Sequence, residues 1–214
     1  MGIINQGILG AVSGKVGPVV GGKWKNIPYL RSYVVPAYSN TSAQVAQRSA
    51  LTSVSNFARK MLTSIVQPMW NPKTSVMSGY NLFIKTNISK FIAPDFNVTT
   101  DVLVADGNLE GIDKLSASYA TADGTVSITW DDNSGVNDAL ASDKLFLVVA
   151  SKTGDIYSAS MLSGATDIRQ TEAKTAFATP GKTATNIIVF AGFYKGTGSE
   201  LVFSTSKAVV CTAA

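Results

Sequence analysis

Leu115-Ser-Ala-Ser-Tyr119 and Val126-Ser-Ile-Thr-Trp130 each alternate apolar and polar residues with a period of two. That period belongs to a strand with one face in a core and the other in water. Toward the C-terminus, Asp131-Asp-Asn-Ser-Gly135 is a turn cluster, and Leu145-Phe-Leu-Val-Val-Ala150 is a buried-strand run closed by Lys152-Thr-Gly-Asp155. Ile156 to Leu162 and Ile168 to Phe177 follow. Pro180-Gly181 then turns into Ile187-Ile-Val-Phe-Ala191 with Phe193 and Tyr194, Gly196-Thr-Gly198 turns again, and Leu201 to Val210 is the last strand. About seven short strands at this spacing predict an antiparallel sandwich over residues 103–214. The one cysteine, Cys211, cannot staple two sheets. A fibronectin type III-like sandwich is therefore a nearer analogue than an antibody domain. Trp130, ending the second strand, is expected to be buried as the core plug.

Toward the N-terminus the period changes. Residues 78–91 place Tyr80, Phe83/Ile84, Ile88 and Phe91 at helical spacing. Residues 41–67 do the same with Val54, Phe57/Ala58, Met61 and Ile65, and more loosely with Val45 and Leu51. Thr41-Ser-Ala-Gln44 reads as a capping box opening that helix, and Pro68 and Pro72 are expected to stop it. Before it, Gly2, Gly7, Gly10, Gly14, Gly17, Gly21 and Gly22 punctuate Ile3, Ile4, Ile8, Leu9, Val12, Val16, Val19 and Val20. Such stretches read as short strands, with a turn at Ser13-Gly14-Lys15. Trp24 to Tyr38 continues in that vein, and Pro28 and Pro36 assign it to edge strands or an extended arm. The expected fold class is α+β: small strands and two helices in a basic, glycine-rich unit 1–94, then the sandwich 103–214, with the boundary at 92–103.

Charge divides the chain near the same place. Ten Lys/Arg and no Asp/Glu precede Asp95, a net +10, while the rest carries eight basic against fourteen acidic residues, a net −6. A basic end seeks phosphate, an acidic protein surface or an anionic membrane. A chain with opposed ends can also associate head to tail with its own copies. Lys15, Lys23, Trp24, Lys25, Arg31, Arg48, Arg59 and Lys60 are the candidate interface or anion-binding residues. Lys23, Lys25 and Arg31 interleave with Trp24, Tyr29, Tyr33 and Tyr38, a mixture that suits protein interfaces and also single-stranded nucleic acid.

Catalytic signals are scarce. With no histidine, Ser-His and Cys-His catalysis and imidazole metal sites fall away, and one cysteine cannot build a thiolate site. Gly10-Ala-Val-Ser-Gly14-Lys15 fails as a phosphate loop, having three residues between its glycines and Val16 after the lysine. Asp131-Asp132 is accounted for by the turn, since Asp and Asn side chains cap turns themselves. Ser151-Lys152 and Ser206-Lys207 lie on loop or strand surface rather than at a helix start. No enzyme activity, cofactor, metal or small-molecule substrate is expected. Three Asn-x-Ser/Thr sequons, at Asn40, Asn87 and Asn97, meet no basic, apolar leader at the N-terminus, so glycosylation and secretion are not expected. No run of 18 apolar residues exists, so no membrane helix is expected either.

Ile8-Leu-Gly-Ala-Val-Ser-Gly-Lys-Val-Gly-Pro-Val-Val-Gly-Gly-Lys-Trp-Lys25 resembles the opening of an uncharacterised protein family of Bacteroidota and their phages. Thr41-Ser-Ala-Gln44 with Gln47-Arg48 is similar to its next block. Thr129-Trp-Asp-Asp-Asn-Ser-Gly135 with Asp143-Lys144 is similar to its C-terminal block. The likeness spans nearly the whole chain and implies no catalytic residues. It implies that a basic glycine-rich unit and a sandwich are inherited together, in phage-like settings. The leading expectation is a structural, self-assembling virion component, cytoplasmic before assembly, with its own copies or other virion proteins as partners. The alternatives are a nucleic-acid-binding or packaging protein acting through the basic unit, and a surface adhesion or carbohydrate-binding module.

Overall fold

The computed structural model describes residues 2–3, 12–35, 40–91, 95–163, 168–171, 173–178, 183–197 and 200–214. The expected strand around Ile4, Ile8 and Leu9 with Gly7 and Gly10, the end of the expected edge strand or arm from Pro36 to Tyr38, and the turn at Pro180-Gly181 lie outside them. The chain divides into two compact units, Met1–Thr41 and Ser42–Ala214.

The first unit is a small antiparallel sheet. Strands β1 (Gly2–Ile3), β2 (Gly14–Val16), β3 (Val19–Trp24) and β4 (Ile27–Ser32) lie in the order β1-β4-β3-β2. Lys25 and Asn26, between β3 and β4, both sit at positive φ, 44° and 68°. A two-residue type I′ hairpin requires that of its central pair. Gly17-Pro18 joins β2 to β3 with Gly17 at φ 57°. Glycine first and a φ-locked proline second is the type II′ pattern. The turn thus falls after the expected Ser13-Gly14-Lys15, whose last two residues open β2.

The second unit begins with helix α1 (Ser42–Lys60), one residue after the expected N-cap Thr41. Its stripe is as read from the sequence: Val54, Phe57, Ala58, Met61 and Ile65 are buried, while the loosely spaced Val45 and Leu51 stay about half exposed. The chain does not stop at Pro68. A π-helical turn, Leu62–Val66, leads into α2 (Gln67–Trp70). Val66 N–H donates to Met61 O at 3.1 Å, a five-residue span. The widened turn puts Pro68 in the first turn of a new helical segment, where its missing N–H matters least. Trp70 is carried into the core, its indole N–H donating to Val104 O at 2.8 Å. Helix α3 (Gly79–Asn87) is capped by Ser78, whose hydroxyl accepts from Asn81 N–H.

Strands β5 (Asp113–Ala120), β6 (Thr125–Asp131), β7 (Lys144–Ser151), β8 (Ile156–Met161), β9 (Ala173–Ala178), β10 (Ile187–Lys195), β11 (Val202–Phe203), β12 (Lys207–Val210) and β13 (Thr212–Ala213) build two sheets. One has the order β13-β5-β6-β9, and the other β11-β10-β7-β8 with β12 also on β10. The fold is α+β with a β-sandwich, as the alternating stretches predict. The strand expected from Ile168 starts at Ala173, after a short helical turn at Arg169–Thr171.

Alternation decides where the cores lie. Leu145, Leu147 and Val149 of β7 and Ile187, Val189, Ala191 and Phe193 of β10 meet Ala117, Tyr119, Val126, Ile128 and Trp130 between the sheets. Phe146, Val148, Ala150, Ile188 and Phe190, on the opposite face, meet Phe57, Met61, Met69, Trp70 and Phe83 from the helices. A sheet buried on both faces explains the unbroken apolar runs of β7 and β10.

This overturns the expected boundary at 92–103. Val98, Val102, Val104 and Ala105 are buried, within 2 % exposure, in the core shared by helices and sheet. Asn87 ties the same stretch down, its amide donating to Leu103 O while Leu103 N–H donates back to Asn87 Oδ1. A change of period marks a change of layer here and not of domain. Because Asn87 is fully buried, its sequon is structural.

Gly192 is the one β10 position where a side chain cannot fit. A Cβ there would lie 2.5 Å from the Phe146 ring and 2.6 Å from Ser204 Oγ, which accepts the Phe193 N–H. Gly192→Ala is expected to destabilise the unit by about 1–3 kcal/mol through overpacking, read as a lower urea midpoint at unchanged slope. An unchanged midpoint would show that Phe146 can move aside.

Candidate functional site

The eight candidate residues divide between the units. Lys15 (β2), Lys23 and Trp24 (β3), Lys25 (turn) and Arg31 (β4) belong to the first unit, and Arg48, Arg59 and Lys60 lie on α1 in the second. Cross-strand register sorts the first group by face. The pairs Lys15↔Val20, Val20↔Arg31, Gly22↔Tyr29 and Trp24↔Ile27 place Lys15, Trp24, Ile27, Tyr29 and Arg31 on one side of the sheet. Lys23, opposite Pro28, points to the other.

The Tyr29 ring covers Gly22, whose Cβ, if present, would meet the ring at 2.9 Å. The Lys15 ammonium stands 3.8 Å from the centre of the Tyr33 ring, and that of Lys25 5.0 Å from the Trp24 ring. Gly21 is the only buried residue among the described side chains of this unit. Val16, Trp24, Val34 and Val35 are 61–74 % exposed, and Ile27 and Tyr33 more than 40 %. The first unit thus combines exposed apolar surface with four cations and no acidic residue.

The α1 cations are in another situation. Lys60 bonds Asp155 at 2.8 Å and Gly154 O at 3.0 Å. Lys73 pairs with Asp106. Burial lowers the Lys90 pKa, and Asp101 and Asp106 oppose that shift. Part of the basic excess before Asp95 is thus met by the acids that follow it, inside one unit. Arg59 and Lys60 stand on the rim of a cleft of about 330 Å³ floored by Phe57, Phe91, Phe96 and Val98. Phe96 holds a positive φ of 50° there.

The motifs weighed for chemistry are absorbed by structure. Lys15 leans on Tyr33 from a strand rather than from a phosphate loop. Asp131 pairs with Lys114 at 2.6 Å, and Asp132 accepts the Ser134 N–H at 2.9 Å as a turn cap. Ser206 Oγ accepts the N–H groups of Val104 and Ala105, and Ser151 Oγ accepts that of Asp155. Cys211 is buried between the sheets, and burial pushes its thiol up to about 11. Among the described residues no three His, Cys, Asp or Glu side chains gather as a metal site, and no helix is long and apolar enough to cross a membrane.

Sequence reasoning missed one heavily bonded residue, Arg169. Its side chain is fully buried and pairs with the equally buried Asp143 at 3.1 Å. It donates to Glu110 O at 2.9 Å, to Gly111 O at 3.2 Å and to Asn133 Oδ1. Its guanidinium carbon lies 4.1 Å from the Phe193 ring centre. Trp130 donates its indole N–H to Arg169 O at 2.7 Å, and Asn133 donates to Gly111 O. Three residues of the block 129–144 therefore converge on Arg169, Asn133 and Asp143 on its guanidinium and Trp130 on its backbone carbonyl. Arg169 was read as part of a strand from Ile168, and nothing in that polar stretch marked it as buried.

A family model described as a family of unknown function, DUF6266, matches residues 11–207, and the chain belongs to that family. Comparison with curated proteins and with solved structures gave no match.

Proposed function

We propose that this DUF6266 chain is a non-enzymatic structural protein that assembles with copies of itself, as a component of a bacteriophage virion. The observation that carries the reading is the first unit, where of residues 12–35 only Gly21 is buried while Trp24 and Ile27 in the sheet and Val34 and Val35 just after it stand exposed. Apolar area of that kind is worth roughly 25 cal/mol per Å² once water leaves it, and a partner surface is the direct way to remove the water. Four cations without an acid on the same unit favour an acidic patch on the partner; the second unit balances fourteen basic against fourteen acidic residues, so that patch is local. The virion setting rests on the resemblance of Ile8–Lys25 to a family met in phages.

One observation favours a second reading. Trp24, Tyr29 and Tyr33 share a sheet with Lys15 and Arg31. Bases stack on such platforms while the cations meet phosphate. Sedimentation velocity in low and high salt, with and without a single-stranded oligonucleotide, separates the two. Assembly predicts a large species without nucleic acid that shrinks as salt screens the attraction. A monomer that shifts only when the oligonucleotide is added would replace the first reading by the second.

A further inference from the structure

The loop from Asp132 to Asp143 is held by far more bonds than a turn between two strands needs, yet it displays large apolar side chains. Asp132 caps Ser134, Asn133 is gripped by Arg169, and Gly135 N–H donates to Ala139 O at 3.0 Å. Asn137 donates to Glu110 Oε2, Asp138 accepts from Glu110 N–H, and Leu140 N–H donates to Asp143 Oδ2 at 2.9 Å. Val136 and Leu140 nevertheless remain 48 % and 54 % exposed. A flexible loop would fold such side chains inward. A rigid one that holds them out has already met the ordering cost of binding.

We propose that this loop is the docking knob of the assembly, seating Val136 and Leu140 on the Trp24–Ile27 face of the first-unit sheet of a second copy. The inference rests on the self-assembly reading and names its two surfaces. Charge selects the occupant. The knob carries Asp132 and Asp138 with Glu110 and Asp131 beside it, against Lys195, bonded to Asp138, and Lys114, bonded to Asp131. The sheet face carries Lys15 and Arg31, with Lys25 at its tip, and no acid. Both surfaces pair exposed apolar residues with a charged surround of opposite sign, so the contact satisfies each at once. The surfaces differ, so the contact is heterologous and propagates from copy to copy as a ring or filament.

The test uses the full chain. Val136→Ser with Leu140→Ser forms a loop variant, and Trp24→Ser with Ile27→Ser a sheet variant. All four positions are exposed, and an unchanged melting curve confirms folding. Sedimentation equilibrium is expected to show each variant associating at least about tenfold more weakly than the parent. Mixed one to one, they retain one intact contact per pair and are expected to form dimers that neither forms alone. Arg31→Glu, an exposed position on the sheet face, supplies an independent arm, weakening assembly by charge without touching an apolar residue. A loop variant that assembles as tightly as the parent, or a mixture that stays monomeric, overturns the knob and leaves self-assembly standing. A parent chain monomeric at every concentration overturns both.

Discussion

Arg169→Met is expected to cost the second unit roughly 3–5 kcal/mol, because it leaves the Asp143 carboxylate buried without a cation. Asp143 is 1 % exposed, and beyond Arg169 its carboxylate accepts the N–H of Leu140 on Oδ2. The methionine fills much of the volume over the Phe193 ring, so packing is not what is lost. Glu110 O, Gly111 O and Asn133 Oδ1 each lose a charged donor as well. The companion variant Arg169→Met/Asp143→Leu removes both charges, and a buried ion pair replaced by apolar residues of similar volume is often close to neutral. Most of the loss is therefore expected to return. Urea unfolding measures both. A single variant within about 1 kcal/mol of the parent would show that water reaches Asp143 and that Arg169 is not the centre of this network.

Trp130→Ala is expected to cost about 3–5 kcal/mol by opening a cavity between the sheets. Trp130 is 3 % exposed and meets Phe193 edge to face at 6.1 Å. Trp130→Phe separates packing from polarity. It keeps most of the apolar contact but removes the donor to Arg169 O, for about 1 kcal/mol and more if that carbonyl then lacks any partner. Equal losses from the two variants would mean that the hydrogen bond, not the cavity, governs this corner of the core.

Periodicity made the layers legible and left their association hidden. The stripe Val54–Phe57–Met61–Ile65 and the alternation of β5 and β6 were readable because each element buries one face, and burial of one face is what a period records. The runs of β7 and β10 have no period, because both faces are buried, so the sequence could not say that helices covered the second one. The same silence produced the misplaced boundary, since Val98, Val102 and Val104 join that core through an irregular stretch. Pro68 misled because its penalty depends on register, and the π turn before it shifts the register. Of the candidate site, the signs of the charges and the aromatic–basic interleaving were legible. Which cations were already paired was not: Lys60 with Asp155 and Lys73 with Asp106 are separated by 95 and 33 residues. Arg169 was out of reach for the same reason, its Asp143 partner lying 26 residues away.

The claim on which the functional account turns is that the first unit works between chains. Multi-angle light scattering on the full chain, and on a chain lacking residues 2–35, tests it most directly. The second unit has its own continuous cores and is expected to keep its sandwich and helices after the deletion. The account predicts a multimeric full chain and a folded, monomeric truncated chain. A truncated chain that assembles to the size of the full one, or a full chain that is monomeric across salt and concentration, would contradict it.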